Sequence, residues 1–189
     1  MDLFVITFLV FANSIGNKYA LDDELVTERN QHTALGLKGM KTIFTSFYTD
    51  GSDNKYNFEY RPVVKASFAI EYQFFGFDPA ISHFFNVLLY SLLIAILYRF
   101  LIFLFKNYSP VFSFLVCLLF ALHPLHTEVA ASLKNRDEIL SFMFSILMAR
   151  AVFKVLLEKK YIQLIPAIIY FALASLSKKM HWCLWCLFH

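Results

Sequence analysis

An all-helical integral membrane protein, with about five transmembrane helices and a polar first outer loop, is the fold class predicted by three observations. Hydrophobic residues make up 59% of the 189-residue chain, 23 of them phenylalanine, and mean hydropathy is +0.57. That is more apolar surface than an ordinary soluble domain of this length carries. The apolar runs are hydrophobic all round, so periodicity does not discriminate and length decides. Crossing a hydrocarbon core of about 30 Å takes roughly 20 helical residues, and only helices or closed barrels satisfy their backbone groups there.

Uncharged stretches give five spans: 3–17, 79–98 extending through Phe105, 107–127, 139–149 continuing to 157, and 161–177. The first is short and follows Asp2 without the basic region of a cleavable signal peptide, so it reads as an uncleaved anchor. Residues 18–80 form the polar outer loop. Its centre, Asp50-Gly51-Ser52-Asp53-Asn54-Lys55, is a turn by composition. The flanking aromatic runs Ile43–Tyr48 and Tyr56–Tyr60 suit an interfacial surface. Arg99 and Lys106 flank the turn before Pro110, and Lys154, Lys159 and Lys160 surround the turn before the fifth span. Both turns are therefore expected on the cytoplasmic side, with Lys134 and Arg136 as exceptions in an outer loop. Arg150 and Lys154 in the fourth span would cost about 2.5–3.5 kcal/mol each at the membrane centre, unless they snorkel.

Two polar clusters interrupt this pattern. Asp22-Asp23-Glu24 follows the first span, and His123-Pro124-Leu125-His126-Thr127-Glu128, continuing to Asn135-Arg136-Asp137-Glu138, follows the third. Two crossings separate them, so both face one compartment whichever way the chain inserts. A carboxylate just outside a membrane helix is placed to act as a general base on a hydroxyl, typically a contribution of about 10²–10⁴-fold. Asp22 and Asp23 are the candidates, with Glu24 as an accessory; the alternative is a solvated acidic helix end. His123 and His126 lie three apart, on one face of a helix, with Glu128 nearby. Their spacing is not that of a His-Glu-x-x-His zinc site, and hydrogen bonding is the commoner fate of such a pair. Counted at about 1.5 Å per helical residue from Lys106, the uncharged stretch reaches Thr127 after roughly 31 Å, which puts these histidines at the outer interface. Asn135 and Glu138 have the spacing of a capping box for the fourth helix.

Other readings are narrower. The net charge of +3 is too small and dispersed for a nucleic-acid surface. A channel or transporter would need carboxylates at the span centres, where there are none. A noncatalytic scaffold would keep the topology without needing Asp22 or Asp23. Cys117 reads as packing, and Cys183-Leu184-Trp185-Cys186 matches a redox pair only by spacing.

Several motifs, in this order, resemble a known family: Tyr19-Ala20-Leu21-Asp22-Asp23, Tyr60-Arg61-Pro62, Phe75-Gly76 leading to His83 and Asn86, and Phe120 through Glu128 followed by Asn135-Arg136-Asp137. The resemblance, over about residues 10–178, is to the transmembrane and tetratricopeptide-repeat O-mannosyltransferases and their bacterial relatives, of the GT-C class of membrane glycosyltransferases. It implies sugar transfer from a polyprenyl- or dolichyl-phosphate donor to a protein hydroxyl, with Asp22 and Asp23 catalytic. Glu24, His123, His126, Glu128, Arg61 and Arg136 would then line the substrate, the two arginines offering planar paired donors to its phosphate. No cofactor is fixed, and a divalent cation stays open. The expected partners are the lipid-linked sugar, an acceptor protein and membrane lipid, in a bacterial inner membrane or the endoplasmic reticulum. After Ser177-Lys178 the chain departs from the family: residues 179–189 form an atypical Trp- and Cys-rich tail, as a truncated or frameshifted product would show. Whether this chain is itself an active enzyme stays open.

Overall fold

The computed structural model describes residues 2–20, 23–24, 26–28, 30–52 and 59–178. Asp22, most of the Tyr56–Tyr60 run, Cys183, Cys186 and the rest of the tail lie outside the described residues. Among the described residues every regular element is helical. α1 (Asp2–Phe11) tightens into a 3-10 turn over Ala12–Gly16. The outer segment holds two short helices, α2 (Gln31–Ala34) and α3 (Met40–Ile43). The side chain of Asn30 caps α2 by accepting from the amides of His32 and Thr33. The Asp50-Gly51-Ser52 turn forms as its composition predicts. The amide of Phe47 donates to the Asp50 carboxylate at 2.7 Å, and Gly51 takes a φ of +91° that other residues avoid.

Proline at the first helical position opens the next three helices, where its missing N–H loses nothing. They are α4 (Pro62–Phe75), α5 (Pro79–Leu104) and α6 (Pro110–Ala121). Asp78 and Ser109 cap the last two through the amides of Ala80 and Val111. The short α7 (His126–Ala131) and a 3-10 turn over Leu133–Asn135 lead into α8 (Arg136–Glu158), and α9 (Leu164–Ser177) ends the described chain. Lys159 closes α8 in the left-handed region at φ 55°.

Two expectations are corrected here. The uncharged stretch 107–127 is not one helix: α6 stops at Ala121, because Pro124 cannot donate within a helix and disfavours helical geometry at His123. Nor is there a capping box at α8. Asn135 makes no side-chain cap. It is the last residue of the 3-10 turn, with φ −81° and ψ 9° rather than the extended backbone of a capping residue, and its amide donates instead to the Glu128 carbonyl at 3.5 Å.

α5 is the central element, packed on α1, α6 and α8, while α9 lies along α8. Phe68, Val87, Tyr90, Ile94, Leu133 and Ile139 form the heart of the core. Phe11 meets Tyr90 edge-on at 5.3 Å, and the Tyr90 hydroxyl donates to the final carbonyl of α6, that of Ala121, at 3.0 Å. Cys117 is fully buried, consistent with packing. Two helical stretches, Pro79–Leu104 and Leu133–Glu158, are long and apolar enough to cross a bilayer; Asp2–Gly16, Pro110–Ala121 and Tyr161–Ser177 are apolar but shorter. Leu115 and Leu119 on α6 and Ile165 and Ile168 on α9 are exposed, so the bundle turns apolar faces outward.

Candidate active site

The two polar clusters meet. Asp23 follows α1 and Lys134 sits in the turn before α8, yet the amide of Lys134 donates to Asp23 Oδ1 at 2.9 Å across 111 residues of sequence. The Ala20 amide approaches the other carboxylate oxygen at 3.4 Å, so Asp23 is gripped from two sides and is only 4% exposed. Burial is the largest influence on its acidity and pushes the carboxyl above the ordinary aspartate range. The backbone amides of Lys134, Ala20 and Leu133, together with His83, pull in the opposite direction by favouring the anion.

Around Asp23 opens a cavity of about 670 Å³, whose walls include Lys18, Tyr19, His83, Glu128 and Lys134. His83, 1% exposed, directs Nε2 at the carbonyl of Lys18 at 3.5 Å, and its Nδ1 has no partner among the described residues. The Tyr19 hydroxyl lies 3.3 Å from Ser82 Oγ. A second cavity of about 350 Å³ adjoins the first at Glu128 and Asn135, with walls that include Tyr90, Phe120, His126 and Phe142. The first space is therefore lined by carboxylates and cations, while its neighbour sets rings and aliphatic side chains beside Glu128, Asn135 and Glu138.

Of the residues expected at the site, the structure gathers Asp23 and Glu128 in the larger cavity, and Glu128 with His126 in the smaller. Glu24 follows directly on Asp23. His123 is exposed and accepts from the Leu125 amide at 3.3 Å. His126 packs on Phe120 with ring centroids 4.3 Å apart, its Nδ1 lying 2.6 Å from the Phe120 carbonyl. Among the described residues no three His, Cys, Asp or Glu side chains gather as a metal would require.

The arginines are placed elsewhere. Arg136, 0% exposed, pairs with Glu71 at 2.5 Å, donates to the carbonyl of Ser82 at 2.9 Å and Ser67 Oγ at 3.3 Å, and stacks on Phe68 at 3.9 Å. Arg61 pairs with Asp137 at 2.8 Å and Glu59 at 2.5 Å, while Lys178 bridges Asp137 and Glu138. Arg61 opens onto a small cavity of about 90 Å³ beside Lys178. Sequence reasoning missed Lys18, His83 and Lys134 as cavity residues. Lys134 did carry a signal, since it stood out as a basic residue on the side where basic residues are disfavoured.

No protein-family model matches the chain, and no solved structure does. Curated relatives do. Protein O-mannosyl-transferase tmtc2 of Xenopus laevis is 30% identical over 143 residues, 74% of this chain and 16% of the relative. Protein O-mannosyl-transferase TMTC1 of Homo sapiens is 28% identical over 142 residues, again 74% and 16%. Protein O-mannosyl-transferase TMTC4 of Homo sapiens is 28% identical over 158 residues, 75% and 21%. The chain thus spans about a sixth to a fifth of the length of these relatives. Over three quarters of its own length, it resembles the transmembrane and tetratricopeptide-repeat O-mannosyltransferases.

Proposed function

We propose that this chain carries the acceptor-activating region of a membrane glycosyltransferase, which moves mannose from a polyprenyl- or dolichyl-phosphate to a hydroxyl on a protein. The observation that carries the reading is the junction of Asp23 with Lys134 beside a cavity of about 670 Å³, a volume within the range of small-ligand sites. In the reaction the acceptor oxygen forms a bond to the anomeric carbon as the bond from that carbon to the phosphate oxygen breaks. The acceptor proton passes to a carboxylate, and the polyprenyl phosphate departs with the bonding electrons. Asp23 is the base in this account, with Asp22 beside it in sequence.

A base works best with an affinity for protons matched to its task, and burial moves Asp23 in that direction. Lys18 and Lys134 are the cations nearest this carboxylate's cavity and are assigned to the phosphate; Arg61 and Arg136, turned toward acidic partners, frame the site. Glu128, on both cavities, is assigned to the sugar hydroxyls. Tyr90, Leu93, Phe120 and Phe142 in the neighbouring cavity offer apolar surface to the first part of the polyprenyl chain, away from Glu128 and Glu138 on the same walls. The outward apolar faces of α6 and α9 are assigned to lipid, since patches of that kind are rarely left to water. Basic turns on the opposite side then face the cytoplasm, and the cavity opens outward.

The test is transfer of labelled mannose from a polyprenyl-phosphate donor in membranes containing the chain, compared with Asp23→Asn at equal expression. Loss in the variant supports the base assignment. Equal transfer by both rejects it, and transfer by neither assigns the activity to longer relatives alone.

A further inference from the structure

We infer that Asn86, on α5, is a positioning residue for Asp23, acting through the turn between α7 and α8. The proposal rests on the reading of Asp23 as the base. Asn86 is 0% exposed, and its amide faces three carbonyls: Ala130 at 2.8 Å, and Val129 and Ser132 at 3.3 Å. These belong to the last turn of α7 and the residue that follows it, where helical carbonyls lack partners within the helix. Two residues beyond Ser132, the Lys134 amide grips Asp23. On its other side Asn86 accepts from Arg136 Nε at 3.4 Å, and Arg136 is itself held by Glu71 and the Ser82 carbonyl. One buried amide thus fixes the chain on both sides of Lys134.

Asparagine suits the place because a single group must both donate to carbonyls and accept from a guanidinium. Leucine has nearly the same size and does neither. Without the clasp, the turn is free to carry the Lys134 amide away from Asp23. The carboxylate would then lose a donor that favours its charged form, while Lys18, Tyr19 and His83 stay around it.

The experiment uses the full chain in detergent micelles and measures the pH dependence of carbodiimide labelling at Asp23 by mass spectrometry, with Glu158, exposed at the far end of α8, as internal reference. In Asn86→Leu the Asp23 midpoint should move to higher pH while that of Glu158 stays put. Mannose transfer should fall about tenfold or more in kcat with a smaller change in KM, as displacement of a catalytic group does. Asn86→Asp keeps the shape and the acceptor for Arg136 but sets an oxygen against the three carbonyls, so it should shift Asp23 in the same way. An unmoved midpoint in a folded variant overturns the proposal. So does failure of both variants to fold, which would make Asn86 a folding residue only. A shifted midpoint with no transfer by any form, the unsubstituted chain included, would leave the positioning intact and retire the base assignment.

Discussion

Replacing Arg136 by methionine tests the buried frame of the protein directly. The guanidinium is fully enclosed and reaches Glu71, Ser82, Ser67 and Asn86 on α4 and α5. Methionine fills the space of the aliphatic stem but strands the Glu71 carboxylate. Removing one partner of a buried ion pair costs about 3–5 kcal/mol, because the other charge remains without compensation. For a chain of this size each kcal/mol moves the midpoint by roughly 2–4 °C, so the Tm should drop by about 10 °C. The assay is thermal loss of helical circular dichroism in micelles. Glu71→Leu added to Arg136→Met removes the stranded charge and should recover most of the loss, as apolar replacement of whole buried pairs does. A drop below about 2 °C in the single variant, or a double variant no more stable than it, would refute this account.

Asp23→Asn should lower transfer by about 10²–10⁴-fold with little loss of stability, since asparagine keeps an acceptor for the Lys134 amide and has no charge to bury, giving up the longer contact with the Ala20 amide. Because the Asp23 carboxyl titrates above the ordinary aspartate range, the acid limb of the transfer rate should lie above that range as well. By the same sign, the folded chain holds this proton to higher pH than the unfolded chain. Stability contributed at Asp23 therefore falls as pH rises through that window, and pH-dependent melts of the two forms should diverge there. Lys65, 1% exposed, donates to the carbonyls of Asp50 at 2.7 Å and Phe47 at 3.2 Å, and burial lowers its ammonium from 10.5 to about 8. The unfolded chain therefore binds more protons between those values, and hydrogen-exchange protection around residues 47–52 should increase from pH 8 to 10; Lys65→Met should remove that trend and weaken the segment by about 1 kcal/mol per hydrogen bond lost, since both carbonyls keep a second donor. Leu115→Arg on the outward face of α6 should reduce membrane insertion by up to about 2.5–3.5 kcal/mol, measured by alkali-resistant membrane association; unchanged insertion would count against lipid contact there.

The long elements were legible because their signals are local. Asp78-Pro79 and Ser109-Pro110 announce where α5 and α6 begin, and the apolar runs behind them need no partner to be recognised. Pro124 was just as visible, but weighing the uncharged stretch as a whole overlooked its power to end α6. The Asp23 junction was half legible: counting crossings put both clusters in one compartment, while the contact with Lys134 joins residues 111 positions apart and has no local signature. The arginines show the limit. Guanidinium chemistry fits a phosphate and a buried carboxylate equally well, and the distant acidic partners, Asp137 for Arg61 and Glu71 for Arg136, come close only once α4 is laid against α5 and α8. Asn86 was visible as part of a motif, yet its three carbonyl partners belong to a turn that sequence alone does not shape.

Lys159 sets two demands on the chain against each other. An L-residue held at φ 55° carries roughly 1–2 kcal/mol of backbone strain that glycine would not. Glycine would also delete one of the three lysines clustered at 154, 159 and 160, whose charge, in the topology proposed above, would bias which end of the hairpin stays behind during insertion. In that topology a designer seeking a tougher protein would choose glycine here and obtain a population threaded less uniformly. The residue that makes the folded hairpin less comfortable would also be one that helps it arrive the right way round.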